Sequence, residues 1–200
     1  MSSMAFLLRI GLVLAAITAG PPIAVAEDGL TALTVIPGRH VSAGGVYGPG
    51  DVYANIPEKD DRGRDQIAMF REWNPDPLGD HEANLAALDP SLARTIRKAQ
   101  ADNLDLRFVI GSGRRDDALQ RKAVAWGWSR ARASAHRTGH AVDLWPLDRH
   151  GHVDFEPVIQ GRLAAAVMRA AAQLHVPIRW GGGFRSFKDR DRSHFELVRS

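Results

Sequence analysis

The sequence predicts an α+β fold: a small, mainly antiparallel sheet with flanking helices. Three features point there. Helical and extended stretches are mixed without the regular spacing of βαβ units, an amphipathic helical pattern runs over 158–174, and short strand patterns at 178–180 and 194–198 bracket a loop that begins with Gly181-Gly182-Gly183.

In chain order, residues 1–26 have the make-up of an export signal. Arg9 supplies one positive charge, an apolar stretch over 10–19 follows, Gly20-Pro21-Pro22 breaks it, and Ala24-Val25-Ala26 offers a small-x-small cleavage site before Glu27. The apolar run over 5–19 is interrupted by Arg9 and falls short of the ~20 residues of a spanning helix. The expectation is an exported protein, periplasmic or extracellular, with no stable membrane span after signal cleavage. Residues 27–79 show no long apolar period and crowd glycine and proline, which predicts an irregular N-terminal arm; its Val46, Tyr47, Val52, Tyr53, Ile56, Met69, Phe70 and Trp73 are enough to pack onto a neighbouring domain but not to build a core. The main domain is expected over 80–200.

Within it, Asp89 can cap a helix that has Pro90 at its first position, with Leu92, Ile96 and Ala99 at helical spacing. The alternation of Leu104, Leu106, Phe108 and Ile110 predicts a strand over 104–110, stopped by Gly111-Ser112-Gly113. Asp116 or Asp117 can cap a helix to Trp126. A strand over 141–145 ends at Pro146. The helix at 158–174 presents Leu163, Val167, Ala170, Ala171 and Leu174 on one face.

Composition narrows the chemistry. At 200 residues the chain accommodates one catalytic domain, and 26 Lys+Arg against 23 Asp+Glu is too balanced to imply nucleic acid. There is no cysteine, so disulfides, thiolate–zinc sites, iron–sulfur clusters and thiol nucleophiles are excluded; any metal must take His and carboxylate ligands.

Two segments concentrate such donors: Ser134-Ala-His136-Arg-Thr-Gly139-His140-Ala-Val-Asp143-Leu-Trp-Pro146 and Asp191-Arg-Ser-His194-Phe-Glu196. Two imidazoles and a carboxylate can hold a zinc ion with one position open for catalysis. His136 and Asp143 are separated by Gly139, where the chain can turn into a strand; there Ala141, Asp143 and Trp145 share one face, and Val142 and Leu144 anchor from the other. His140 lies at the spacing of a helical His pair, but Gly139 argues against a helix, so it is expected beside the site or on the surface. Glu196, two residues after His194, stands on the same strand face.

The pattern Ser134-x-His136-x-x-Gly139-x-Ala141-x-Asp143, then Trp180-Gly181-Gly182 and Asp191-x-x-His194-Phe-Glu, resembles the M15-type zinc peptidases of peptidoglycan, over roughly 104–200. These include L-alanyl-D-glutamate endopeptidases and D-Ala-D-Ala carboxypeptidases and dipeptidases, with a hedgehog/DD-peptidase fold. The resemblance implies His136, Asp143 and His194 as Zn²⁺ ligands, Asp191 as general base, and Arg115 as the cation beside the scissile carbonyl. Phe187-Lys188-Asp189 precedes His194 by two residues more than is usual in the family, which leaves Asp189 open as the base. Ser112-Gly113-Arg114-Arg115 matches a Ser-Gly-Tyr-Arg element with arginine in place of tyrosine, and Gln120 follows at the family's spacing. The activity implied is cleavage of the peptidoglycan stem peptide, at the L-Ala–D-Glu bond or, alternatively, at terminal D-Ala-D-Ala. A third possibility is a non-catalytic, zinc-stabilised domain that binds wall or a partner.

Overall fold

The structure, a computed structural model, describes residues 51–130, 133–184 and 191–198. The export signal expected over 1–26 and the first part of the arm, 27–50, lie outside the described residues. Four strands, β1 (Phe108–Ser112), β2 (Ala141–Pro146), β3 (Ile178–Trp180) and β4 (His194–Leu197), form one antiparallel sheet in the order β1-β2-β4-β3. Among the described residues five α-helices accompany it: α1 (Gln66–Trp73), α2 (His81–Ala86), α3 (Pro90–Ala101), α4 (Asp117–Trp126) and α5 (Pro157–Leu174). No helix among the described residues is long and apolar enough to cross a membrane.

One face of the sheet packs on α3 and α5. Leu92, Ile96 and Ala99 of α3, and Leu163, Val167 and Ala170 of α5, meet Phe108, Ile110, Val142, Leu144 and Phe195. The alternation expected for β2 holds, because Val142 and Leu144 enter this core while Trp145 joins the opposite one. Asp89 caps α3 through Ser91 N–H and Asp116 caps α4 through Leu119 N–H, each satisfying a backbone donor that the first helical turn leaves free.

The opposite face is covered by the segment read from sequence as irregular. Val52, Tyr53, Ile56, Phe70 and Trp73 are buried with Val109, Ala123, Trp145, Leu147 and Val153, and Phe70 and Trp145 approach to 5.0 Å between ring centroids. Among the described residues, two helices, α1 and α2, thus precede Asp89. This segment, with His81 of α2, seals the free edge of β1: Asn74 Nδ2 donates to Ile110 O (3.1 Å), Trp73 Nε1 to Gly111 O (3.2 Å), and Ile110 N to His81 Nδ1 (3.3 Å). A sheet edge closed in this way cannot pair with another chain.

β1 itself differs from expectation. It starts at Phe108, not Leu104, since Leu104 is 86% exposed in the turn after α3; only Leu106, Phe108 and Ile110 of the alternating set are buried. Nor does Gly111 stop the strand. The register against β2 shifts between Ile110 and Ser112, a bulge that presses Gly111 onto Trp145, where an added Cβ would fall 1.9 Å from the indole. Gly111→Ala is therefore expected to destabilise the fold by about 1–3 kcal/mol through overpacking. The urea-unfolding midpoint measures this, and an unchanged midpoint would contradict the packing described.

Candidate metal centre

Three elements bring the donors together. His136 sits on a short 3-10 turn (Ala135–Thr138) that ends at Gly139, whose φ of 75° suits glycine and whose missing side chain leaves room for Ala87 O, 2.9 Å from where a Cβ would lie. Asp143 is central in β2, and His194, the first residue of β4, is its register partner. His136 Nε2, His194 Nδ1 and Asp143 Oδ1 form a near-equilateral triangle with sides of 3.2, 3.0 and 3.3 Å. Tetrahedral zinc with bonds of about 2.0–2.1 Å places its ligand atoms about 3.3–3.4 Å apart, so these three donors fit one face of such a tetrahedron. Their side chains are 2%, 12% and 13% exposed for His136, His194 and Asp143.

Each donor is held from behind. His136 Nδ1 lies 2.8 Å from Gly113 O, a group that can only accept, so Nδ1 carries the proton and Nε2 offers a lone pair to the centre. The second oxygen of Asp143 accepts from Arg115 Nη2 at 2.5 Å. Arg115 is in turn fixed by Nε donation to Ser112 Oγ (2.8 Å), by Gln120 Oε1 (3.4 Å), and by the ring of Trp73, 5.1 Å from its guanidinium carbon. His194 Nε2 faces Glu196 Oε2 at 3.4 Å, and Glu196 Oε1 accepts from Arg179 Nε at 2.9 Å.

The electrostatics follow from these contacts. Burial alone would raise the Asp143 carboxyl, but its interactions with His136, with the Arg115 guanidinium and with His194 outweigh it and hold it well below the usual range. Burial disfavours charge on His194, yet its bonds to Asp143 and Glu196 prevail and, without metal, push the imidazole up to about 10. Its hydrogen bond to His194, with help from Arg179, brings Glu196 down to about 2.

Asp191 lines the same cleft, of about 230 Å³, with Trp128, Ser129, Ser134 and Phe184. Its Oδ1 accepts from Ser193 Oγ at 2.8 Å, and its backbone oxygen occupies the space left by Gly181, 2.3 Å from where a Cβ would sit. Trp180 Nε1 ties down the neighbouring Arg192 O at 2.8 Å. Burial, then the negative charge of Asp143, raises the Asp191 carboxyl. Asp189, the other candidate base, lies outside the described residues.

The structure thus brings His136, Asp143, His194, Asp191 and Arg115 to one cleft, with Arg115 only 6% exposed and bonded to Asp143. His140 stands apart from the triangle, its Nε2 3.8 Å from Asp89. The Gly113 carbonyl and the Trp73 ring were not foreseen. A backbone acceptor leaves no mark on a sequence, and Trp73 lies far up the chain in a stretch without periodicity.

Comparisons with known proteins agree with this geometry. The profile of the family described as Phage L-alanyl-D-glutamate peptidase matches residues 79–198. Among solved structures, the crystal structure of Serratia marcescens L-Ala D-Glu endopeptidase ChiX matches with 37% identity and a TM-score of 0.53, over 59% of this chain and 86% of that one. The four-stranded antiparallel sheet with flanking helices is similar to that structure. No curated protein matches the chain.

Because His194 holds its proton up to about 10 when no metal is bound, zinc uptake at pH 7.5 should release about one proton per site. Calorimetry in two buffers of different ionisation enthalpy measures this. In the same titrations Glu196→Gln is expected to weaken zinc binding about 10–100-fold. Uptake without proton release, or unchanged affinity in the variant, would contradict the coupling.

Proposed function

Since the chain belongs to the phage L-alanyl-D-glutamate peptidase family, we propose that it hydrolyses the L-Ala–D-Glu bond of peptidoglycan stem peptides with zinc held by His136, Asp143 and His194. The observation that carries this is the triangle of donors with sides of 3.0 to 3.3 Å, opening on a cleft that holds a separate carboxylate, Asp191. That further carboxylate favours an enzyme over a zinc-stabilised binding domain.

Zinc, when bound, supplies Lewis acidity that polarises the scissile carbonyl and makes a water acidic enough to react near neutral pH. Asp191 takes a proton from the attacking water and returns it to the departing amine of D-Glu, while the oxygen of that water stays on the new alanyl carboxyl. Its raised proton affinity, from burial and the nearby Asp143, suits a group that must accept a proton and give it back. Arg115 keeps Asp143 ionised and oriented. Three of its five N–H groups have the acceptors described above, and its fixed charge beside the cleft favours the oxyanion that develops on the carbonyl oxygen. Activity outside the cytoplasm, in the periplasm or the medium, is part of the same proposal. It is supported by Arg9, the apolar stretch over 10–19 and Ala24-Val25-Ala26.

Purified stem peptide digested by the zinc-loaded protein should split between L-Ala and D-Glu, as read by product mass. Loss of a single alanine would instead mark a carboxypeptidase, and intact substrate would refute both. Asp191→Asn is expected to lower kcat about 10²–10⁴-fold while zinc content stays the same. Full activity in that variant would exclude Asp191 as the base.

A further inference from the structure

We propose that a trough leading away from the metal centre receives the leaving, carboxylate-bearing half of the substrate, with Arg114 as the residue that binds the spare carboxylate of the D-glutamyl unit. This inference rests on the L-alanyl-D-glutamate peptidase activity proposed above.

The catalytic cleft does not end at Arg115. It shares Arg115, Ala133 and Ser134 with a groove of about 1070 Å³ that Arg114, Asp116, Asp117 and Arg137 also line. That groove shares Asp117 and Arg137 with a third hollow of about 400 Å³ along α4, where Gln120, Arg121 and Val124 form the wall. The three hollows adjoin at these shared residues and follow the side of α4 from the donor triangle.

Charge along that path is unequal once internal contacts are subtracted. The Asp116 carboxylate caps α4 at 2.7 Å from Leu119 N, and Asp117 pairs with Arg137. Arg114 is exposed, and neither it nor Arg121 has a hydrogen-bond or ion-pair partner among the described residues. With the Asp117–Arg137 pair and the Asp116 carboxylate counted, Arg114 and Arg121 leave the trough net positive, and Arg114 stands directly before Arg115 of the cleft wall. Guanidinium binds carboxylate through paired, charge-assisted hydrogen bonds.

The substrate has a matching asymmetry. On the acyl side of the scissile bond L-alanine offers only a methyl group. On the leaving side, D-glutamate is joined through its amine to alanine and through one carboxyl to the rest of the stem, so its second carboxylate stays free. Placing that half in the trough pairs the anion with Arg114 and leaves the neutral half to the opposite end of the cleft.

The test uses the zinc-loaded protein and two synthetic stem peptides that differ only at the spare group, a carboxylate in one and its carboxamide in the other. KM for the carboxylate form should be lower by about tenfold, with similar kcat, and the gap should narrow as salt rises. Arg114→Gln should abolish the gap by raising KM for the carboxylate peptide, and Arg114→Lys should keep part of it. Equal KM values in the unsubstituted protein, or a gap that survives Arg114→Gln, would overturn the inference alone. Cleavage of neither peptide would overturn the proposed activity and this inference with it.

Discussion

A carboxylate with only 13% of its side chain exposed stays ionised at the centre of this molecule because Arg115 lies 2.5 Å from one of its oxygens and two imidazoles flank the other. Removing charge from water is costly unless it is paired and hydrogen-bonded, and Asp143 is both. Its surroundings are arranged to keep it so. Ser112, Gln120 and the ring of Trp73 fix the guanidinium, and the guanidinium fixes the carboxylate.

That dependence gives the two faces of the sheet different tasks. The face on α3 and α5 is an aliphatic core that sets the strands in register, and register alone places His194 opposite Asp143. The other face combines the triangle of His136, Asp143 and His194 with an aromatic cluster from residues 52–73, which supplies Trp73 beneath Arg115 and closes the edge of β1.

Much of this was legible in the sequence, where local rules coincide with the tertiary outcome. Asp89 and Asp116 announce their helices because caps are local, and the apolar partners of Asp143 announce its strand because alternation is local. His136 and Asp143 could be linked across Gly139 for the same reason. Three features were not legible. α1 is eight residues long, and its partners, Trp126, Trp128 and Trp145, come from distant segments, so no periodicity of its own reveals it. Leu104 belongs to an alternating set yet ends in a turn, because Asn103 Nδ2 bonds back to Ala99 O and closes α3 there. The contacts of Arg115 were not legible either: it is almost wholly buried, and its hydrogen-bond partners are Asp143, Ser112 and Gln120. A motif identifies such a residue without telling which of its hydrogen-bond partners is nearest.

X-ray absorption at the zinc edge, on the protein loaded with one equivalent of zinc, probes the central geometry directly. Two imidazole nitrogens and a carboxylate oxygen at about 2.0–2.2 Å are expected, with the imidazole contribution halved in His136→Ala. A zinc shell without histidine, or one that His136→Ala leaves unchanged, would contradict the convergence of His136, Asp143 and His194 on a single ion.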